Sequence, residues 1–300
     1  MLQAIEQRCN KRIHELFDVI YGTSTGGILA LGLGLCHPSV SLRELRKLYK
    51  TLAVHIFGEP LGSIRGALRF MWNWKGFREG HASWYDAAKL ERLFDFYMGT
   101  NELRQHTVPG QPQVYVTTCT VKSNDVHLIG NHGPLSHFTP PQAARATSAA
   151  PFYFDAYVCD SMQESFMDGG IEANNPTQIA YRDLVLQRNL PVACIVSLGT
   201  GMKSAPETAW QKYFNKLGES EPTHHSMEDI LHANPHAQPG APRTFLYFRL
   251  NPNKHYKVGD VPLNACRPQD LVLVETETEH YIRDNRDLFD AVCDTLMAIE

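Results

Sequence analysis

The chain has 300 residues, of which 43% are hydrophobic and 20% are charged, which excludes a disordered chain and allows a sizeable core. Lysine and arginine total 28 against 32 aspartates and glutamates, and this net charge of −4 argues against nucleic acid as the main partner. The longest apolar run, residues 28–36, is too short for a transmembrane helix, which needs about 20 residues. The charged N-terminus has no apolar core typical of a secretory signal.

The seven cysteines are odd in number and irregularly spaced, which argues against a disulfide framework. None forms a C-x-x-C pair, so a structural zinc site is not expected. We therefore expect reduced thiols and an intracellular protein, either cytoplasmic or peripheral to a membrane.

Hydrophobic spacing predicts helices and strands that alternate along the chain. Helices are predicted over residues 2–13, 28–36, 42–54, 86–97, 142–150 and 269–299. Buried strands are predicted over residues 16–21, which Gly22 ends, and 192–198. A further strand is predicted over residues 114–119, and a short strand of alternating character over residues 245–250. Residues 202–243, rich in proline, histidine and serine, are interpreted as a long loop or an excursion. Apolar strands separated by helices predict an α/β sandwich with a largely parallel sheet.

The sequence Gly22-Thr23-Ser24-Thr25-Gly26 is a G-x-S-x-G motif between a predicted strand and a predicted helix. Such a tight turn presents a nucleophilic serine, and its flanking glycines avoid Cβ clashes. The N–H of Thr25 and the N-terminus of the following helix would help to stabilise a developing oxyanion. The alternative is an ordinary turn, because glycine and serine are common.

A serine nucleophile needs a base, and Asp168 in the sequence Met167-Asp168-Gly169-Gly170 is a candidate. The alternative is a D-G turn between two strands. Many hydrolases place a histidine after the acid, but none of the six later histidines can be selected by its context. Those histidines are His224, His225, His232, His236, His255 and His280.

Four segments occur together and in order, and their combination is highly specific. They are KRIHELFDVIYGTSTGGILALGLGL from residue 11, RATSAAPFYF from residue 145, MDGGIEANNP from residue 167 and CIVSLGTG from residue 194. This set resembles the patatin-like phospholipases and is most similar to the gamma-type branch of the calcium-independent phospholipases A2. The resemblance covers about residues 8–205.

The resemblance implies a three-layer α/β/α fold and a catalytic dyad, with Ser24 as nucleophile and Asp168 as base. Gly22, Thr25 and Gly26 would form the elbow and part of the oxyanion hole, and Gly169 and Gly170 would support the dyad. No cofactor or metal is implied, and no catalytic histidine. The implied activity is hydrolysis of fatty-acyl esters, with phospholipid or another acyl-ester lipid at a membrane surface as partner. Residues 1–205 would form the hydrolase domain, and residues 206–300 an extension packed on it.

One feature of the family pattern is absent from the sequence. The family carries a glycine-rich oxyanion loop, D-G-G-G-x-R-G, roughly 35 residues before the nucleophile, whereas only 23 residues precede Ser24 and their single glycine is Gly22 of the elbow. Either the chain is shortened, with the first strand missing, or it naturally lacks the loop. The segment 62–66, GSIRG, is a poor substitute because it follows the nucleophile. We therefore expect the missing oxyanion loop to impair activity.

Residues 58–84 interleave aromatic and basic side chains, which suits either a lid packed on the core or a surface that contacts lipid.

Three further functions remain open. The chain could be a catalytically inactive lipid-binding or regulatory relative, or an esterase for small soluble esters. A nucleotide-binding protein is the least favoured, because no P-loop motif is present.

Overall fold

The computed structural model describes residues 1–35, 40–58, 83–203, 221–232 and 245–299. The chain divides into two compact units. The sheet unit comprises Phe17–Asn174 and Asn264–Arg267, and the second unit comprises Met1–Leu16, Asn175–Leu263 and Pro268–Glu300. The expected division into a domain of residues 1–205 and an extension of residues 206–300 stays a prediction. Within the described ranges, no helix has the length and apolar character needed to cross a membrane.

The structure alternates helices and strands, as expected for an α/β protein. The helices are α1 (Leu2–Cys9), α2 (Ile13–Leu16), α3 (Thr25–Leu35), α4 (Leu42–Phe57), α5 (Ala87–Met98), α6 (Pro140–Thr147), α7 (Gly170–Ala173), α8 (Thr177–Tyr181), α9 (Glu221–His232), α10 (Pro268–Asp284) and α11 (Arg286–Ala298). The strands are β1 (Val19–Thr23), β2 (Gln113–Thr120), β3 (Val126–Gly130), β4 (Tyr157–Cys159), β5 (Glu164–Asp168), β6 (Cys194–Leu198) and β7 (Leu246–Leu250).

The sheet unit is built around β2, which pairs with three other strands. β3 runs antiparallel along residues 115–119 of β2 and occupies one of its two edges. β1 pairs in parallel with residues 113–117, and β5 pairs antiparallel with residues 118–120. Since β3 already fills one edge over residues 115–119, β1 and β5 share the other. Their C-terminal ends therefore meet along β2, where Thr23 lies opposite Thr117 and Asp168 lies opposite Thr118.

Three helices of the sheet unit, α4, α5 and α6, begin at side chains that cap their free N–H groups. Ser41 and Glu44 form a capping box on α4, and Thr139 and Gln142 form another on α6, which also starts with proline. The carboxylate of Asp86 caps α5. After Thr25, α3 contains only apolar residues, six of which are buried, as is typical of a helix that lies inside the unit rather than along its surface.

The core of the sheet unit lies between α3, α5 and α6 and the apolar residues of β2, β3 and β5. Its largest fully buried side chains are Phe94, Phe138, Phe166, Leu31, Leu103 and Ile129. Phe138 and Phe166 meet edge to face with ring centroids 6.0 Å apart. This core packs behind the junction of β1 and β5 and so fixes the ends of both strands.

In the second unit, β6 and β7 form a parallel pair, and α1 packs against α11. Buried polar residues connect this pair to the first residue of α8. The guanidinium of Arg249 donates to Ser197 Oγ at 2.9 Å, and Thr177 Oγ1 donates to the same atom at 2.8 Å. These hydrogen bonds satisfy polar groups that are removed from water.

The predicted α/β class is confirmed, and the parallel character is confirmed only in part, since β3, β4 and β5 all pair antiparallel. β1 runs through Gly22 to Thr23 rather than stopping before it. The first predicted helix is broken at Asn10, which adopts a left-handed conformation. α9 lies inside the predicted loop of residues 202–243. Most of the aromatic and basic segment, residues 59–82, and the segment 62–66 lie outside the described residues.

Candidate active site

Ser24 lies on a tight turn between β1 and α3. Its backbone has a φ of 56°, a left-handed value that is costly for a residue with a side chain. Such a turn brings β1 very close to the first turn of α3. A Cβ on Gly22 would lie 2.3 Å from the carbonyl oxygen of Gly26, so this position has no room for a side chain. The strained elbow predicted from the motif is therefore present at Ser24.

The second motif glycine has a different environment. An ideal Cβ on Gly26 would have nothing within 4 Å, and the residue is exposed. The expectation that both flanking glycines relieve a Cβ clash is therefore wrong for Gly26. The absence of a side chain there instead keeps the space beside the elbow open.

Asp168 is the last residue of β5. Neighbouring groups constrain its backbone, its side chain and the residue that follows it. Its backbone N–H donates to the carbonyl oxygen of Ala149 at 3.0 Å, and its Oδ1 accepts from the N–H of Gly170 at 2.7 Å. A Cβ on Gly169 would lie 2.2 Å from Thr117 Oγ1, so the chain after Asp168 can pass β2 only with glycine at this position. A helical turn, α7, follows rather than a second strand, so Asp168 does not lie in a hairpin turn.

Ser24 and Asp168 are 144 positions apart and meet at the junction of β1 and β5. The hydroxyl of Ser24 donates to Asp168 Oδ2 at 2.5 Å. The serine is partly exposed, whereas the aspartate is only 4% exposed. A charged or strongly polarised partner shortens and strengthens such a hydrogen bond. In the described part of the chain, the hydroxyl partner of Ser24 is this carboxylate and not a histidine.

Burial changes the acid strength of the carboxyl group. Removal from water raises the pKa of Asp168 from 3.8 to about 6, while the hydrogen bonds from Ser24 and from the N–H of Gly170 act in the lowering direction. The group is therefore a better proton acceptor than an exposed aspartate.

Two backbone N–H groups beside Ser24 are suitably placed for an oxyanion. They belong to Thr25 and Gly26, which begin α3, and neither donates to an acceptor within the described residues. The first N–H groups of a helix have no partner within the helix and carry its positive dipole end. The N–H of Ser24 itself differs, because it donates to Thr147 Oγ1 at 2.9 Å.

Several buried threonines lie close to Ser24 and Asp168, and the sequence reasoning did not single them out. Thr23 Oγ1 donates to the carbonyl oxygen of Ala173 and lies 2.7 Å from Thr117 Oγ1. Thr118 Oγ1 donates to the carbonyl oxygen of Met167 at 2.7 Å, immediately before Asp168. The available signal was the pair of adjacent threonines inside the otherwise apolar strand β2.

Comparison with known proteins identifies relatives for this arrangement. Residues 1–181, more than half of the chain, match the family described as patatin-like phospholipase. Calcium-independent phospholipase A2-gamma of Homo sapiens is 29% identical over 95% of this chain and 36% of its own length. Phospholipase A I of Arabidopsis thaliana is 29% identical over 99% of this chain and 26% of its length. The cGAMP-activated phospholipase of Vibrio cholerae is 30% identical over 58% of this chain and 47% of its length.

The two motif glycines give a matched test of the elbow geometry. Gly22→Ala is expected to lower the free energy of unfolding by about 3 kcal/mol or more, because its Cβ would overlap the backbone of Gly26. Gly26→Ala is expected to change it by less than about 1 kcal/mol, since the added methyl meets nothing. Denaturant unfolding monitored by circular dichroism measures both. Equal effects of the two substitutions would contradict the assigned geometry.

The raised pKa of Asp168 predicts a pH-dependent gain in stability for Asp168→Asn. The folded protein disfavours the ionised carboxyl, so wild type loses stability as the pH rises from about 4 to about 6. The asparagine side chain carries no charge. The free energy of unfolding of Asp168→Asn should therefore increase relative to that of wild type by about 1–3 kcal/mol over that interval and then level off. Urea titrations at several pH values measure the difference, with Asp95→Asn on the exposed face of α5 as control. A constant difference across this interval would exclude the predicted cause.

Proposed function

Because the chain belongs to the patatin-like phospholipase family, we propose that it is a lipid acyl hydrolase that cleaves fatty-acyl esters, as a phospholipase A2 does. We propose Ser24 as its nucleophile and Asp168 as its base. The observation that carries this proposal is the 2.5 Å hydrogen bond from Ser24 Oγ to Asp168 Oδ2 at the strained elbow. The chain spans only 36% of the length of the human relative, so the activity of that longer protein supports the proposal by similarity alone.

In the proposed acylation step, Asp168 Oδ2 takes the hydroxyl proton of Ser24 as Oγ attacks the ester carbonyl carbon. The carbonyl oxygen becomes negative, and the N–H groups of Thr25 and Gly26 are the nearest candidates to stabilise it. Each such donor commonly contributes about 10²–10³ in rate. The alcohol or lysolipid then leaves with the proton from Asp168, and an ester of Ser24 remains.

In the proposed deacylation step, Asp168 takes a proton from water while the water oxygen attacks the Ser24 ester. Collapse of the intermediate releases the fatty acid and returns the proton to Ser24 Oγ. The same carboxyl group thus acts as base and then as acid in each half-reaction. The N–H of Gly170 keeps Asp168 Oδ1 occupied, so Oδ2 remains directed at Ser24 throughout.

Two features support a role for Asp168 without a histidine. Burial raises the pKa of Asp168 to about 6, so the carboxyl group can both accept and release a proton near neutral pH. Its neighbours Ser24 and Gly170 supply the hydrogen bonds that keep the ionised form accessible. The proposed chemistry needs no metal or cofactor, because both proton transfers use one side chain.

The proposed substrate class is phospholipid or another acyl-ester lipid presented at a membrane surface. The support is family membership and the printed names of the relatives, which are phospholipases. An acyl chain is apolar, and the exposed Gly26 beside the partly exposed Ser24 leaves space for an ester to approach.

Replacing the nucleophile tests the proposal directly. Ser24→Ala is expected to abolish fatty-acid release from phosphatidylcholine vesicles, because it removes the hydroxyl that donates to Asp168 and would form the acyl-enzyme. The exposed serine variant Ser161→Ala should hydrolyse as wild type does. Faster turnover of vesicles than of a short-chain chromogenic ester favours a lipase, and the reverse favours a small-ester esterase. Vesicle binding with no Ser24-dependent turnover would instead make the chain a lipid-binding relative.

The pKa of Asp168 predicts the pH profile of the reaction. The base must be ionised to accept the Ser24 proton, so kcat/KM should rise with pH through an apparent pKa of about 6 and then level off. Initial rates on a soluble ester between about pH 4.5 and pH 8.5 measure it, with folding checked at each pH. A profile that stays flat across pH 6 would argue against Asp168 as the base.

A further inference from the structure

We infer that Thr147 is a positioning residue for the nucleophile, an inference that rests on the proposed function of Ser24. The hydroxyl of Thr147 accepts a hydrogen bond from the backbone N–H of Ser24 at 2.9 Å. The same hydroxyl donates to the carbonyl oxygen of Thr117 on β2 at 2.7 Å. One hydroxyl group therefore connects the elbow to the strand along which β1 and β5 meet.

Thr147 is well suited to a fixed role. It is the last residue of α6, and its relative exposure is 0%. Its one hydroxyl proton points to Thr117, which leaves the lone pairs of Oγ1 directed at the N–H of Ser24. Both partners of the hydroxyl are backbone groups, so the connection does not depend on the rotamer of another side chain.

The conformation of Ser24 explains why such a connection matters. A φ of 56° is unfavourable for serine and persists only where surrounding contacts hold it. The hydrogen bond to Thr147 fixes the direction of the Ser24 N–H, and thereby the direction in which Cβ and Oγ leave the backbone. Relaxation of this φ would move Oγ away from Asp168, although neither Asp168 nor its hydrogen bonds to Gly170 and Ala149 would change.

The packing of Thr147 separates the role of its hydroxyl from that of its methyl group. A Cβ on Gly27 would lie 2.9 Å from both Cγ2 and Oγ1 of Thr147, so the threonine lies directly on the first turn of α3. Valine would retain this shape without the hydroxyl, whereas serine would retain the hydroxyl without the methyl group. The two substitutions therefore give opposite predictions for a positioning role and for a packing role.

The test is steady-state hydrolysis of a soluble ester by the full chain. Thr147→Val is expected to lower kcat by about 10- to 100-fold with little change in KM, because the Ser24 N–H loses its acceptor while the binding surface stays intact. Thr147→Ser is expected to keep most of the wild-type kcat. The apparent pKa of kcat/KM should stay where it is in wild type, since the hydrogen bonds described for Asp168 involve Ser24, Gly170 and Ala149 rather than Thr147. Ser148→Ala, which removes a buried hydroxyl that donates to Ala144, is the matched control.

The inference would be overturned if Thr147→Val kept the wild-type kcat while Thr147→Ser was folded but had a lowered kcat. Thr147 would then have a packing role. If Thr147→Val does not fold, the Thr147→Ser result alone decides, because a positioning hydroxyl must preserve kcat. If wild type shows no Ser24-dependent turnover, the proposed function fails, and amide hydrogen exchange then tests the geometry. The Ser24 amide should exchange slowly in wild type and in Thr147→Ser and faster in Thr147→Val, and equal rates in all three would refute the inference.

Discussion

The hydrogen bond between Ser24 and Asp168 depends on two strands that end at the same point along β2. β1 reaches Thr117 from one direction and β5 reaches Thr118 from the other, on the same edge. A shift of one residue in either register would turn the following side chain to the opposite face. This hydrogen bond is thus a product of strand pairing across 144 positions of sequence, and the fold must form before the two groups can meet.

The same burial that raises the pKa of Asp168 also costs folding free energy, since an ionised carboxyl is removed from water. The hydrogen bonds from Ser24 and Gly170 offset part of that cost and keep the charged form accessible. Their balance gives a group that titrates close to neutral pH. The structure therefore combines a locally unfavourable carboxylate and a strained serine within a rigid surrounding core, as sites with stored strain require.

The sequence predicts β1, α3 and the elbow well, because an apolar run and closely spaced glycines specify them locally. Asp168 could be assigned only through resemblance, since a D-G pair alone is more typical of a turn. The predictions missed β3, β4 and β5, which are short and interrupted by polar residues such as Glu164 and His127. Their antiparallel pairing, and with it the junction of β1 and β5, comes from contacts distant in sequence. The role inferred for Thr147 likewise depends on hydrogen bonds to residues distant in sequence, Ser24 and Thr117.

The two glycines of the G-x-S-x-G motif are required for different physical reasons. Gly22 is required by the fold, because any side chain would overlap the first turn of α3. No such overlap exists at Gly26, whose Cβ would project into open space next to the helix N-terminus. Under the proposed mechanism, that space is where the ester carbonyl must lie to reach both Ser24 Oγ and the N–H groups. The first glycine is therefore required by the elbow itself, whereas the second, under the same proposal, leaves room for the substrate.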